Sequence, residues 1–289
     1  MLVNLNALLK DAKEKKYAIP AFDISNFEMM KAVLDICETE RSPAILMGLV
    51  PDLNGRRLNL LTAMVKSCAD FYKIPVCFQL DHATDLGFIE SAIKAGFSSV
   101  MFDGSSLPFD QNAKFSAEVV KAAHRYNVTV EAELGHVGNA LVGNEADPIK
   151  NDNPEDTLTD PNDVVNFLNI AEVDALAVAI GTAHGVYQKT PTLRIDRLDE
   201  IESVCNIPLV LHGGSGTPSD QIDTAIKHGI TKINIYSDVV SALNRGLRNK
   251  LDSITNIATW PAYVFEKSRK LMKDVITEKI RSFGSNNRA

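Results

Sequence analysis

Eight short apolar runs, separated by segments long enough for helices, constrain the fold of this 289-residue chain more than any other feature. Most of the runs are continuous rather than alternating, which is typical of strands buried on both faces of a parallel sheet. The sequence therefore predicts eight strands, over Tyr17–Phe22, Ala44–Leu49, Val76–Leu80, Ser99–Phe102, Val128–Glu133, Ala175–Ile180, Pro208–Leu211 and Thr231–Ile235.

Helical patterns occupy most of the intervals between these runs, and the chain ends in a further one. Apolar residues recur there at the three-to-four-residue spacing that gives a helix one buried face. The predicted helices include Phe27–Thr39, Ala113–Arg125, Val164–Ile170, Leu198–Val204, Ile222–Lys227, Val239–Leu247 and a C-terminal helix over Ala262–Phe283. This alternation predicts an α/β fold, a single (β/α)₈ barrel spanning residues 1–289 with an extra C-terminal helix. An open, doubly wound parallel sheet is the alternative.

Composition and charge exclude several classes of protein. The chain is 45% hydrophobic and 23% charged, as in ordinary globular proteins, and carries a formal net charge of −7. An acidic chain without a long basic block is a poor ligand for nucleic acid or an anionic membrane. The longest apolar runs fall short of the roughly 18 residues that span a bilayer. The N-terminus shows no secretory pattern, and the four cysteines form no CxxC pair, so we expect free thiols in the cytoplasm.

One segment lacks the periodicity of its surroundings. Gly138–Pro161 is rich in Asn, Asp, Gly and Pro and follows the fifth predicted strand. Loops longer than about 15 residues inside compact domains are usually functional or disordered. We therefore expect a mobile active-site loop over about residues 136–160, with a decorative insertion as the alternative.

Polar, reactive side chains follow six consecutive predicted strands. Active sites of (β/α)₈ barrels lie at the carboxyl ends of the strands, so this series indicates one site at the barrel mouth. The residues are Asp81 and His82 after the third strand, Asp103 after the fourth, Glu131 and Glu133 at the end of the fifth, His184 after the sixth, His212 after the seventh and Asn234 in the eighth.

Three of these residues are histidines. Three imidazoles with one open coordination position are a common arrangement for catalytic zinc. His82, His184 and His212 are therefore candidate metal ligands, and His136, at the start of the long loop, is the reserve candidate.

A glycine-rich turn follows the seventh strand, with the sequence His212-Gly-Gly-Ser-Gly216. Successive backbone N–H groups in such a turn can face an anion, and barrels often bind phosphate after strands seven and eight. Asn234–Ser237 would supply the second loop. Because a candidate metal ligand directly precedes the turn, the pattern favours a phosphorylated substrate with a carbonyl near the cation.

Taken together, these stretches resemble the class II, metal-dependent ketose-bisphosphate aldolases, which include fructose- and tagatose-bisphosphate aldolases. The motifs that carry the resemblance extend over nearly the whole chain; they are Tyr17-Ala-Ile-Pro-Ala-Phe-Asp23, Leu80-Asp-His82, Ala95-Gly-Phe-Ser-Ser-Val-Met-Phe-Asp-Gly104, Val130-Glu-Ala-Glu-Leu-Gly135, Leu176-Ala-Val-Ala-Ile-Gly-Thr-Ala-His-Gly185, Pro208-Leu-Val-Leu-His-Gly-Gly-Ser-Gly216, Lys232-Ile-Asn234 and Glu278-Lys-Ile-Arg-Ser-Phe-Gly284.

The resemblance implies roles for matching residues. It implies Zn²⁺ on His82, His184 and His212, with Asp81 as the acid/base and with Asp103 and Glu133 at an alternative metal position. The implied substrate is a phosphorylated ketose that is cleaved to dihydroxyacetone phosphate and an aldehyde. The implied cradle for the phosphate and polar groups of dihydroxyacetone phosphate comprises Gly185, Gly213, Gly214, Ser215, Asn234, Ile235, Tyr236 and Ser237.

Three further features are implied in the same way. Family members use a glutamate on the loop after strand five as a second base, and Glu145 is the candidate here by position. They often bind a monovalent cation, Na⁺ or K⁺, near the phosphate. They often form homodimers or homotetramers.

The chain also departs from the family pattern. Tyr236 and Ser237 stand where the family usually has a small or acidic residue and then Thr, and the second strand leads into Leu46–Val50 instead of hydroxyl-bearing residues. We therefore expect the sugar to differ from fructose 1,6-bisphosphate, with Tyr236 influencing the choice of aldehyde.

Other functions stay open on the sequence alone. They are a zinc hydrolase on the same scaffold and a non-catalytic or regulatory phosphosugar-binding barrel. A Schiff-base aldolase is less favoured, because Lys232, the one lysine within a predicted core strand, lies early in that strand.

Overall fold

The structure, a computed structural model, describes residues 2–139, 157–185, 187 and 189–289. Eight parallel strands form a closed barrel in the order β1-β8-β7-β6-β5-β4-β3-β2, which confirms the predicted (β/α)₈ fold and excludes the open sheet. The strands are β1 Ile19–Asp23, β2 Ala44–Leu49, β3 Val76–Ala83, β4 Ser99–Phe102, β5 Thr129–Leu134, β6 Ala175–Val178, β7 Leu209–Leu211 and β8 Ile230–Ile235.

Helices surround the barrel and alternate with its strands. The described α-helices are α1 Asn6–Lys15, α2 Phe27–Glu40, α3 Arg57–Ala69, α4 Leu86–Ala95, α5 Phe109–Ala123, α6 Pro161–Ala171, α7 Ile195–Val204, α8 Ser219–Lys227, α9 Ser237–Ser253, α10 Pro261–Val264 and α11 Glu266–Ser282. The predicted C-terminal helix over Ala262–Phe283 is thus two helices. The break falls at Phe265, next to the short first helix that Pro261 begins.

Apolar side chains form two cores. The larger lies between the strands and the surrounding helices. The smaller fills the lower part of the barrel, where Leu5, Leu8 and Leu9 pack beneath the strands together with Ile45 and Cys77. The amino-terminal end of the barrel is therefore closed by apolar packing, and the polar strand ends lie at the other end.

A two-stranded parallel sheet stands outside the barrel. It pairs Gly138–Asn139, after β5, with Ala183–His184, after β6. Strands of two residues carry no periodicity, so the sequence analysis did not find them. Their pairing fixes the backbone of His184 against the beginning of the long loop.

Two sequence expectations bear on the environment of the chain. In the described ranges no helix is both long enough and apolar enough to span a bilayer. All four cysteines are free, and Cys37, Cys77 and Cys205 are buried, as predicted for unpaired thiols.

Close packing of α9 on α11 gives a test of the fold. A Cβ at Gly246 would lie 2.4 Å from the backbone Cα of Ser268, so only glycine fits between the two helices. Gly246→Ala is expected to lower the free energy of unfolding by about 1–3 kcal/mol through overpacking, measured by thermal denaturation. Asn244→Ala, at an exposed position of the same helix, is the control and should melt with the wild type. Equal melting of both variants would contradict this packing.

Candidate active site

A cavity of about 500 Å³ opens at the carboxyl ends of the barrel strands. It contains most of the residues that the sequence analysis selected. Its lining includes Asp81, His82, Asp103, Glu133, His184, Gly185, Gly213, Ser215, Asn234, Tyr236 and Ser237. The barrel therefore brings the ends of separate strands into one polar site, as predicted for this fold.

An irregularity near the end of β3 lets two adjacent residues face the cavity. Successive side chains of a regular strand point to opposite faces, so Asp81 and His82 cannot both point inward without a distortion. The pairing of β3 with β4 shifts its register between Leu80 and Ala83. His82 has a φ of 46°, which is uncommon for a residue with a side chain. Such strain at the mouth of a barrel is typical of a functional site.

The three candidate metal ligands converge. Their ligand atoms on His82, His184 and His212 all lie within 4.8 Å of one another. The ring of His82 stands edge-on to the other two, with centroids 4.7 Å from each. The structure thus brings together, from β3 and the segments after β6 and β7, the histidines that the sequence selected.

The hydrogen bonds of these rings favour a cation between them. His82 Nδ1 lies 2.8 Å from the Asp103 carboxylate, and His212 Nε2 lies 2.9 Å from Glu131. Carboxylates accept hydrogen bonds, so both nitrogens carry the proton in the neutral rings. His82 Nε2 and His212 Nδ1 face each other across 2.9 Å, so they share a proton when His82 is charged and present two lone pairs to the same point when both rings are neutral. A metal ion can take the place of that proton, and carboxylate partners on the far nitrogen are typical of metal-bound histidines.

His184 completes this fit. Its buried Nε2 has no hydrogen-bond partner within the described part of the chain, so the site leaves an imidazole nitrogen available to a ligand. Burial, followed by the nearby His82 and His212, holds the pKa of His184 well below its usual range. The neutral imidazole that this favours is the form that binds a metal.

Carboxylates surround the same point. Burial opposes a charge on His82, but Asp81 and the hydrogen bond to Asp103 outweigh it and raise the pKa of His82 to about 10. Burial and the neighbouring Asp103 raise the pKa of Glu133 to about 8. His82, Asp103 and Glu133 form a second group whose ligand atoms lie within 4.8 Å of one another. The two groups share His82, so a candidate for the alternative metal position lies beside the first.

A buried network below the site supports His212. Glu131 is fully buried and accepts hydrogen bonds from Lys232 Nζ at 2.8 Å and Gln79 Nε2 at 2.9 Å. Burial raises the pKa of Glu131, but the positive charge of Lys232 and the bond with His212 outweigh it and hold this pKa well below its usual range. Lys232 also donates to Asn234 Oδ1 at 2.8 Å. These contacts make Glu131 an ionised acceptor that holds His212 in place.

Asn234 connects this network to Asp81. Its Nδ2 lies 3.3 Å from Asp81 Oδ1 and 3.3 Å from His212 Nε2. Asp81 is 2% exposed and also lies 3.9 Å from His82 Nε2. A carboxylate in this position is oriented by an amide and stands beside the candidate metal position.

The glycine-rich turn directly follows His212. Gly213 has a φ of 67°, and a Cβ there would lie 2.4 Å from the carbonyl oxygen of Ala183. Tyr187 Oη donates to the Gly213 carbonyl at 2.8 Å and accepts from Ala183 N at 2.9 Å. The turn is therefore tied to the segment that carries His184.

Two members of the predicted phosphate cradle lie behind the cavity surface. Gly214 donates its N–H to the Asn234 carbonyl at 3.2 Å, and the Ile235 side chain is fully buried in the larger core. Gly185, Gly213, Ser215, Asn234, Tyr236 and Ser237 do line the cavity. Ser237 begins α9, and helix N-termini favour anions.

Both ends of the predicted active-site loop are anchored at the barrel mouth. His136 N donates to the Thr157 carbonyl at 2.8 Å, and Thr159 Oγ1 donates to the Leu134 carbonyl at 2.5 Å. Glu145, the candidate second base, lies outside the described residues. His136, the reserve metal ligand, lines the cavity, with its Nδ1 at 3.4 Å from Ser105 Oγ.

Sequence reasoning gave no role to several lining residues. Asp23 ends β1 and lines the cavity, as do Ser105 after β4 and Pro51 after β2. Leu49 and Val50, noted from the sequence only as a departure from the family pattern, line it at the end of β2. The strand-end rule that selected Asp103 applies equally to Asp23, so the signal was present. The partnership of Glu131 with Lys232 was also missed, although a lysine in a buried strand requires a counter-charge.

Comparisons with known proteins agree with this architecture. Residues 3–288 match the family described as fructose-bisphosphate aldolase class-II. The fold is similar to the YdjI aldolase from Escherichia coli K12, with 31% identity, a TM-score of 0.87 and full coverage of both chains.

Two further solved structures share the fold at lower identity. A putative fructose-1,6-biphosphate aldolase from Coccidioides immitis is 24% identical, with a TM-score of 0.85 and coverage of 98% of this chain and 96% of its own. The fructose-bisphosphate aldolase Fba from Campylobacter jejuni is 21% identical, with a TM-score of 0.84 and coverage of 100% and 97%.

The buried pair beneath the site yields a stability prediction. Lys232→Met leaves the Glu131 charge buried without its cation, so we expect a loss of about 3–5 kcal/mol in the free energy of unfolding, measured by chemical denaturation of metal-free protein. The double variant Glu131→Gln with Lys232→Met removes both charges and should lose less. A single variant as stable as the wild type would show that Glu131 is not held as an ion.

Proposed function

The chain belongs to the class II fructose-bisphosphate aldolase family, and on that premise we propose that it is a zinc-dependent aldolase. In this proposal it reversibly cleaves a phosphorylated ketose to dihydroxyacetone phosphate and an aldehyde. The observation that carries the proposal is the convergence of three histidines, two of whose nitrogens face each other across 2.9 Å, beside the oriented carboxylate of Asp81.

His82, His184 and His212 are the residues that would hold the metal. Three imidazoles with an open position suit zinc, and the unpartnered His184 nitrogen supports this donor set. Zinc held by these residues would supply a Lewis acid for the ketose carbonyl and for the negative charge that develops on cleavage. Asp103 and Glu133 would provide the alternative position, which His82 shares.

Asp81 exchanges a proton with the hydroxyl group on C4, the carbon that becomes the aldehyde. When the C3–C4 bond breaks, the C4 hydroxyl loses its proton to the Asp81 carboxylate and C4 becomes a carbonyl carbon. Asn234 orients that carboxylate through its Nδ2. C3 gains a proton from a second group, for which Glu145 remains the candidate.

The half of the substrate that becomes dihydroxyacetone phosphate binds near the glycine-rich turn. Backbone N–H groups near Gly185 and Gly213, the hydroxyls of Ser215 and Ser237 and the N-terminus of α9 supply donors for a phosphate there. The proposal has three further parts. A monovalent cation, Na⁺ or K⁺, binds near this phosphate. The protein is cytoplasmic and assembles as a homodimer or homotetramer.

The metal is tested by removal and by substitution. A chelator should abolish cleavage, and added zinc should restore it. His212→Ala should lose the roughly one zinc per chain that a three-histidine site binds, measured by metal analysis of dialysed protein. His228→Ala, at a histidine paired with Asp199 on the surface, should keep its zinc. Full activity in metal-free protein would refute the mechanism.

Asp81 is tested by separating two steps of the reaction. Asp81→Ala should keep zinc and lose cleavage by roughly 10²–10⁴-fold, the scale of a general acid–base residue. It should retain much of the proton exchange on dihydroxyacetone phosphate in D₂O, because that step uses another base.

The same assay separates the rival functions. An equal loss of cleavage and exchange in Asp81→Ala would make Asp81 a structural residue or a ligand. Absence of exchange in the wild type would favour a phosphosugar-binding protein or a hydrolase.

A further inference from the structure

The mouth ends of β1 and β2 form a part of the cavity that differs in chemistry from the rest. We propose that this part, made of Asp23, Leu49, Val50 and Pro51 and here called the aldehyde subsite, selects a short hydroxylated aldehyde without a phosphate. The inference rests on the proposed aldolase function and specifies its second substrate.

Strand register places the aldehyde subsite next to Asp81. Leu49 is in register with Asp81 across the β2–β3 pair, and Asp23 is in register with Met47 across the β1–β2 pair. Asp81 acts at the carbon that becomes the aldehyde. The glycine-rich turn after β7 and the start of α9 hold the other half of the substrate. Atoms beyond the aldehyde carbon therefore extend along the ends of β2 and β1.

Asp23 presents an unsatisfied acceptor in this subsite. Its side chain lines the cavity, the residue is 4% exposed, and its Oδ1 has no hydrogen-bond partner among the residues that the structure describes. A buried carboxylate oxygen without a donor is costly, and a donor from a ligand removes that cost. Burial and the neighbouring Asp81 raise the pKa of Asp23 well above its usual range. A hydroxyl of the aldehyde can both donate and accept, so it pairs with this carboxyl in either protonation state.

The lining of the subsite offers little to a second phosphate. Among the described residues that line the cavity there is no lysine or arginine. The hydroxyl donors Ser215 and Ser237 follow β7 and β8. At the subsite, Leu49 and Val50 are apolar and Pro51 lacks an N–H group. A second phosphate would therefore meet an apolar wall and no cation.

Competing acceptors test the selection directly. In the direction of aldol addition to dihydroxyacetone phosphate, kcat/KM is measured for glyceraldehyde, glyceraldehyde 3-phosphate and propionaldehyde. We expect the wild type to favour glyceraldehyde over its phosphate by at least about 10-fold, the lower end of what pocket contacts provide. A preference for the phosphorylated aldehyde would overturn the proposal.

Variants of Asp23 identify the cause. Asp23→Ala should lower kcat/KM for glyceraldehyde by about 5–150-fold, the cost of leaving a hydrogen-bonding partner unsatisfied, and leave propionaldehyde near the wild-type value. Asp23→Asn, which keeps a donor and an acceptor, should retain most of the kcat/KM for glyceraldehyde. Asp52→Asn is the matched charge control, because Asp52 lies close enough to act on Asp23 and is not among the lining residues. It should leave the ranking of aldehydes unchanged.

Proton exchange on dihydroxyacetone phosphate separates failure of this proposal from failure of the aldolase function. Exchange needs no aldehyde, so it should persist in every Asp23 variant together with zinc content. If Asp23→Ala keeps the exchange but loses kcat/KM equally for glyceraldehyde and propionaldehyde, the subsite alone is refuted. A wild type without exchange would refute the aldolase function and the subsite with it.

Discussion

The buried contact between Glu131 and Lys232 is the interaction on which the rest of the site depends. Barrel interiors are usually filled with branched apolar side chains. Here an ion pair with no exposed surface occupies the interior, and its remaining hydrogen-bonding capacity goes to Gln79, His212 and Asn234. A buried pair contributes little net stability, since desolvation offsets the Coulomb attraction. What it provides is orientation, because one carboxylate fixes the imidazole above it and one ammonium fixes the amide that reaches Asp81.

Local backbone geometry converts this scaffold into a site. The shift in register between Leu80 and Ala83 and the left-handed conformation of His82 turn two adjacent side chains toward one cavity. Below the site, α1 and the smaller apolar core close the barrel, so the polar groups are open only at the mouth. The small sheet of Gly138–Asn139 with Ala183–His184 then positions the third histidine, which lies on no barrel strand. Orientation from below and distortion at the rim together give three convergent imidazoles.

Sequence could predict the strands, because continuous apolar runs and their spacing are properties of the chain itself. It could select His82, His184 and His212 by a single rule, that polar residues at the ends of barrel strands meet. It could not predict that Lys232 reaches Glu131, since 101 positions separate them and their meeting depends on strand register and closure. The sequence also could not predict that Gly214 and Ile235 lie behind the cavity surface. Whether a residue of a turn faces the cavity or the core depends on a few dihedral angles, which residue type leaves undetermined.

The order of strands around the barrel places the candidate metal ligands, the anion donors and the aldehyde subsite on different groups of neighbouring strands. The candidate metal ligands lie on β3 and β5 or directly follow β4, β6 and β7. The candidate anion donors lie at the ends of β6, β7 and β8. The ends of β1 and β2 contribute neither, and they close the ring between β8 and β3. The apolar side chains of Leu49 and Val50 can therefore change without removing a metal or phosphate contact. That independence explains how Leu49, Val50 and Pro51 can be apolar in a chain whose histidines and glycine-rich turn keep the family pattern. Under the proposed function, selection of the aldehyde is thus the property that the metal and phosphate contacts constrain least.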